Sequence, residues 1–231
     1  MNLILVARSA DRLEEVAEHI RQVANVEAEV LPADLSQAEG TLRVCERLID
    51  DERPVGLLVN NAGFGLGQDF VGGDIERELN ALNVMVRAVL MTCHAAIPGM
   101  VARGGGGILN IASMAALTAQ GTYSAHKAWV RTFTEGLAAS LKGTGVNATV
   151  VCPGLVHTEF HEKVDVDPGQ WPESAFIPAE RVAAEAIEGV RRGKVVVTPS
   201  RRYRALAGAL KVAPRSLVRA VAGPERSGRR G

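Results

Sequence analysis

A net charge, a cysteine framework and an apolar leader of membrane length are all missing from this chain. Its 231 residues carry 26 Lys/Arg against 26 Asp/Glu, a formal net charge of zero. That removes the general electrostatic case for nucleic acid as a partner. Three cysteines, Cys45, Cys93 and Cys152, sit in apolar runs with neither metal-ligand nor disulfide spacing. They read as small buried hydrophobes of a reducing compartment. The first seven residues are apolar but too few for a signal peptide or a membrane span, and no charged region precedes them. These absences point to a cytoplasmic protein. What is present, 47% hydrophobic and 23% charged residues, is the material of one globular domain with ample core.

Short apolar runs alternate with longer helical patterns along the chain. Strands are expected at Asn2–Ala7, Glu27–Leu31, Val55–Val59, Ile108–Ala112, Val146–Cys152 and Val195–Val197. Helices are expected at Ala10–Ala24, with Leu13, Val16, Ala17 and Ile20 inward, and after a Ser36 cap, with Leu42, Cys45, Leu48 and Ile49 inward. Others follow at Asp74–Ala102, from Tyr123 to Leu141, and at Ala179–Arg191. The run Gly104–Gly107 reads as a loop. Strand–helix alternation with continuous apolar strands predicts an α/β fold, a doubly wound parallel sheet covered by helices on both faces. Ligands in such sheets lie at the carboxyl ends of the strands, where Asn60-Asn61, Ser113 and Pro153-Gly154 fall.

Tyr123-Ser-Ala-His-Lys127 places a phenol and an ammonium one helical turn apart, on one face. A lysine cation near a tyrosine favours the phenolate and draws its pKa down from about 10 toward a useful general acid–base range. The pair stands in ordered company: Asn60-Asn-Ala-Gly63, then Asn83, then Ser113, then Tyr123 and Lys127, then Pro153-Gly154 followed by Thr158. This order and spacing resemble the short-chain dehydrogenase/reductase family over roughly residues 2 to 200. The resemblance implies a Rossmann-like fold and an oxidoreductase that moves a hydride between NADP(H) and a ketone or secondary alcohol. A catalytic tetrad of Asn83, Ser113, Tyr123 and Lys127 follows from it. Tyr123 would exchange the proton, Lys127 would lower its pKa and hold the nicotinamide ribose, and Ser113 would hold the substrate oxygen. Asn83 would hold a water relaying protons from Lys127. Ser113 stands ten residues before Tyr123, about three fewer than in many members, a deletion within Met114–Thr122.

For the cofactor, the resemblance implicates Arg8, Asp34, Leu35, Asn61, Ala62, Gly63, Tyr123, Lys127, Pro153, Gly154, Val156 and Thr158. Arg8 at the first strand's exit suits a 2′-phosphate through charge and fork geometry, which favours NADP over NAD. Asp34 would contact the adenine amino group or serve as a helix-start turn residue. His157 and His161 lack a metal-ligand context.

One element of the family pattern is out of place. A dinucleotide fold opens with a strand, a glycine-rich turn and a helix whose N-terminus holds the diphosphate. Here Met1–Arg8 resembles the second strand of that pattern, and the Gly104–Gly107 run precedes a strand rather than joining one to a helix. The first strand lies centrally, so its loss leaves two strands without a shared partner. The expectation is an N-terminally truncated domain over residues 1–198, begun at an internal methionine, with negligible NADPH binding and poor solubility for residues 1–231 alone. The competing expectation is a family-derived scaffold that has lost cofactor binding and serves a protein partner.

Residues 155–178 correspond to a substrate lid, where Phe160, Trp171, Phe176 and Ile177 suggest an apolar carbonyl or alcohol substrate. Basic charge gathers beyond it, with twelve Lys/Arg and one acid after residue 190. Residues 199–222 form a basic amphipathic segment, suited to a subunit interface in a homo-oligomer or to peripheral contact with an anionic membrane. Residues 223–231 read as a disordered tail.

Overall fold

A computed structural model describes residues 1–156 and 172–223. The first apolar runs form parallel strands β1 (Leu3–Ala7) and β2 (Ala28–Pro32), joined by α1 (Ala10–Ala24). The Ser9 hydroxyl caps α1 by accepting from the Arg12 N–H, and Asn25 ends it in the left-handed region at φ 47°, as residues of these types do. Leu13 and Ala17 are its buried pair, while Val16 on the expected inward face is 50% exposed.

Helix α2 (Ala38–Leu48) starts later than a Ser36 cap would place it. The Ser36 N–H instead donates to Asp34 Oδ1 at 2.9 Å, so Ser36 belongs to the turn. The helix also buries a different face, Thr41 and Val44, leaving Leu42 and Ile49 exposed. Gly40 belongs to the packed side: a Cβ there would lie 2.2 Å from the Asp34 carbonyl oxygen, so that side is pressed on the preceding turn, while α2 packs against the following helix.

That partner is the long apolar helix expected after Asp74. Asp74 caps α3 (Ile75–Leu82), which continues through a π-helical turn (Asn83–Arg87) into α4 (Ala88–Ala102). Before it runs β3 (Leu57–Asn60), and after it come β4 (Gly106–Ile111), a 3₁₀ turn (Met114–Leu117) and α5 (Thr122–Ser140). The strand β5 (Val146–Val151), a second 3₁₀ turn (Glu173–Ala175), α6 (Ala179–Arg191) and β6 (Val196–Val197) follow. Gly106 and Gly107 thus belong to β4 rather than to a loop. A Cβ on Gly107 would meet Val190 of α6 at 2.7 Å, so the strand needs glycine there for the helix to sit close. The basic segment forms two helices, α7 (Arg201–Val212) and α8 (Arg215–Ala222), separated at Pro214.

Strands β3-β4-β5-β6 pair in parallel in that order. Helices α4 and α5 cover one face around Cys93, Met100, Ile108, Val130 and Val150, and α6 covers the other around Leu109, Val151 and Val190. Burial on both faces is why these strands carry unbroken apolar runs. Across the first face runs a polar chain: Thr92 Oγ1 donates to Asn60 Oδ1, Asn60 Nδ2 to Asn110 Oδ1 and Asn110 Nδ2 to Thr134 Oγ1, each at 2.9 Å. Asn110 has no solvent exposure, so these bonds satisfy groups that water cannot reach.

The doubly wound sheet is split. The pair β1-β2 shares no hydrogen-bonded ladder with β3-β4-β5-β6. A groove of about 2100 Å³ separates them, lined by β1 on one side and β3 on the other.

Candidate active site

Strand β4 ends at Ile111, and the next residues stay tied to β5: the Ala112 N–H donates to Val151 and the Met114 N–H to Pro153. Ser113 caps the 3₁₀ turn, its Oγ accepting from the Ala115 N–H at 3.1 Å. Helix α5 then starts at Thr122 behind Gly121, which takes φ 83° to turn the chain, a region that favours glycine. One turn into α5, Tyr123 and Lys127 come up beside Ser113. The Ser113 and Tyr123 hydroxyls are hydrogen-bonded. Lys127 Nζ lies 5.8 Å from the Tyr123 ring centroid and donates to the Ile111 carbonyl at 2.8 Å. Three of the four residues expected to act together therefore meet at the carboxyl end of β4.

Burial dominates the electrostatics. It pushes the Tyr123 phenol up to about 12, the Ser113 hydrogen bond acting in the opposite direction. Burial likewise brings the Lys127 ammonium down to about 8, with a smaller opposing effect from Cys152. A charge withdrawn from water is disfavoured, so the phenol holds its proton and the lysine holds its own less firmly. The expected pull of Lys127 on Tyr123 is not what sets the phenol's acidity.

Asn83 does not join them. Its Nδ2 donates to the Ser36 carbonyl at 3.0 Å, tying the π-helical turn to the β2–α2 turn. The helix presents Met85 to the site instead: a Cβ built on Gly63 would lie 3.1 Å from Lys127 Nζ and 3.4 Å from Met85 Sδ. The signal for this was the periodicity of the helix itself. Ala81, Val84, Met85 and Ala88 form its buried row, and a side chain reaching Lys127 must come from that row.

On the other flank, Arg8 is exposed at the end of β1 and lines the groove together with Asp34, Leu35, Asn61, Ala62 and Gly63. Asp34 serves as a turn residue through its bond to Ser36, and Leu35 packs on the Leu66–Val84–Met85 cluster. Beyond β5, Pro153 and Val156 flank Gly154 and Leu155, which are fastened by a residue the sequence did not single out. The Tyr203 ring of α7 lies so close to Gly154 that a Cβ there would fall 2.0 Å from it. The Tyr203 hydroxyl accepts from the Leu155 N–H at 3.1 Å and donates to the Ala175 carbonyl at 3.0 Å. Val156 makes a parallel bridge with Ile177. An isolated tyrosine on a basic helix gave no sign of this clamp. Thr158, with His157, Phe160, His161 and Trp171, lies outside the described residues.

The profile of the short chain dehydrogenase family matches residues 1–168. The chain belongs to that family. An uncharacterized oxidoreductase of Staphylococcus saprophyticus is 32% identical over 185 residues, 76% of this chain and 79% of that protein. Among solved structures, a short-chain dehydrogenase from Sphingobium yanoikuyae in complex with NADPH superposes with a TM-score of 0.82 at 30% identity, over 91% of this chain and 84% of that one. A bulky-bulky ketone specific alcohol dehydrogenase from Comamonas testosteroni gives 0.77 at 26% identity, over 91% and 82%. The protein is thus an NAD(P)-dependent oxidoreductase of the short-chain dehydrogenase type, built on their Rossmann-like fold.

The residues present fit the two ends of a nicotinamide dinucleotide better than its middle. Bare backbone at Gly63 leaves room beside Lys127, and Arg8 and Asp34 stand at the far end of the same groove. The diphosphate is different. Strands β1 and β2 run into helices through Arg8-Ser9 and residues 33–37, which contain no glycine, and the glycines after β3 lie in the long loop 61–74. Among the described residues no strand runs directly into a helix N-terminus through a short glycine-rich turn, the arrangement that presents backbone donors to a diphosphate.

Proposed function

We propose that the protein interconverts a ketone and a secondary alcohol with NADP(H), and that Tyr123 is its general acid–base. The observation carrying this reading is the meeting of Ser113, Tyr123 and Lys127 around one point at the carboxyl end of β4. A bound nicotinamide would supply or take the hydride. Tyr123, neutral across the physiological range, gives its proton to a carbonyl oxygen as that oxygen gains charge. The Ser113 hydroxyl holds the same oxygen in place and keeps the phenol oriented. Lys127, buried and cationic below about pH 8, stabilises the phenolate left behind and offers its remaining donors to ribose hydroxyls.

Arg8 supports NADP over NAD, because an exposed guanidinium at the adenosine end attracts a 2′-phosphate where a carboxylate would repel it. Thr158 is assigned the carboxamide by its place after Pro153-Gly154. The NADPH-bound neighbour and the bulky-ketone enzyme support a phosphorylated cofactor and a substrate with apolar substituents. The test is NADPH consumption over a panel of ketones, with Tyr123→Phe beside the parent. General acid–base catalysis contributes ~10²–10⁴-fold, so the variant should lose at least that in kcat with nucleotide affinity intact. Retained turnover would sink the assignment.

A further inference from the structure

Helices α7 and α8 carry Arg201, Arg202, Arg204, Lys211, Arg215 and Arg219, all exposed, and no acid. Arg204 lies 3.6 Å from Glu185; among the described residues the others form no ion pair. Arg201, Arg202 and Arg204 occupy the first turn of α7, and Arg215 opens α8. Those are the ends where a helix dipole favours acids, so helix stability does not account for these cations.

The body of the protein covers little of the pair. Residues three and four apart return to one face of a helix. On α7 the row Tyr203, Ala207 and Leu210 is buried or half-buried, and Arg201, Ala205, Gly208 and Val212 form the exposed row opposite. On α8 Val218 is buried and Ala222 half-buried, with Leu217 and Val221 on one flank and Arg215 and Arg219 on the other. Leu206, Leu217, Val221 and Val212 are 47%, 54%, 57% and 85% exposed. Leu206 also lines a hollow of about 500 Å³ together with Phe176, Arg181 and Arg202, so apolar and basic groups share one surface there. The pair is held to the body: Arg215 Nη1 donates to the Leu117 carbonyl at 3.2 Å, and the Ala119 N–H donates to the Ala222 carbonyl at 3.1 Å.

Cations on one flank of a helix and exposed aliphatic side chains on the other suit a helix lying in a lipid headgroup layer. A second copy of the same face is a poor occupant, because a two-fold contact sets like charge against like. Nucleic acid would engage the cations and leave the aliphatic side chains in water. The exposed rows hold no aromatic side chain, the usual anchor of a protein partner. We propose that α7 and α8 dock the protein on an anionic lipid surface, Leu206, Val212, Leu217 and Val221 entering the headgroup layer and Arg201 and Arg219 meeting lipid phosphates.

The test floats the full chain through a density gradient with vesicles of phosphatidylcholine, alone or with about a third phosphatidylglycerol; aggregated protein does not float. Partition into the anionic vesicles should exceed that into the neutral ones at least tenfold and should fall as salt is raised, because the contact is screened. Arg201→Gln combined with Arg219→Gln should weaken it about 25-fold, at about fivefold for each charge near the surface. Leu217→Ser combined with Val221→Ser should weaken it about tenfold or more. All four positions are exposed, so the urea midpoints of both double variants should match the parent's. Equal flotation with both lipids, or none with the anionic vesicles, overturns the proposal, and so does binding that neither double variant weakens. A dimer that Leu217→Ser with Val221→Ser dissociates in equilibrium sedimentation, without lipid binding, overturns it too, the occupant then being a second copy. Neither nucleotide nor substrate is present, so these outcomes are separate from those for the proposed function.

Discussion

Lys127→Met isolates what the buried ammonium costs the fold. Lys127 is 4% exposed, and burial lowers its pKa from 10.5 to about 8. Below pH 8 the lysine is protonated in both the folded and unfolded chain, and the folded state bears the full desolvation cost. Between about 8 and 10.5 the unfolded state binds more protons at this group, so stability attributable to Lys127 rises with pH. Above 10.5 both states are neutral and the cost has gone. Each pH unit within the window is worth about 1.4 kcal/mol, so parent stability minus variant stability should rise by about 3 kcal/mol across it. Methionine has similar volume and no titration, and the lost bond to Ile111 adds an offset that does not depend on pH. Cys93, Cys152 and Tyr123, which burial holds at about 12, 11 and 12, make both proteins less stable above their unfolded values and largely cancel in the difference. Urea unfolding at intervals from pH 7.5 to 10.5 reads the effect as a change of roughly 1–3 M in relative midpoint, for an m-value of about 1–3 kcal/mol/M. A flat difference, or one that falls with pH, would show that Lys127 is not desolvated and refute the reasoning.

Further substitutions test the rest of the site. Arg8→Asp should raise KM for NADPH by one to two decades, the equivalent of a charge-assisted hydrogen bond of roughly 1.5–3 kcal/mol, with NADH little changed and the effect smaller at high salt; parallel loss of both cofactors in steady-state kinetics would remove the basis for NADP preference. Gly154→Ala drives a methyl into the Tyr203 ring and should cost roughly 1–3 kcal/mol by chemical denaturation, whereas a neutral result would show that the clamp is not closed in solution. Asn110→Ala removes the link between Asn60 and Thr134, leaving Asn60 only its weak bond to Cys93 Sγ while Thr134 keeps its bond to the Val130 carbonyl, a loss of roughly 1–3 kcal/mol, measurable as a lowered urea midpoint.

The sequence by itself determined most of the elements and which candidate residues share one strand exit. Strand β5 and helices α1 and α6 fall where short apolar runs and helical periodicity place them, because those patterns report which side of each segment meets the core. Tyr123, Lys127 and Ser113 were legible because residue type and spacing bring a phenol, a cation and a hydroxyl to one strand exit. The division of the sheet was foreshadowed by the absent glycine turn. Other choices belonged to tertiary packing. Whether Asn83 or Met85 faces Lys127 is decided by which row of a long helix is buried. Which face α2 buries depends on its packing against the preceding turn and the following helix. Tyr203 reaches Gly154 across nearly fifty residues, a contact that no local pattern encodes. The acidity of Tyr123 followed the same rule: the sequence supplies the neighbouring cation, but desolvation is a property of the assembled interior, and there it outweighs the charge one turn away.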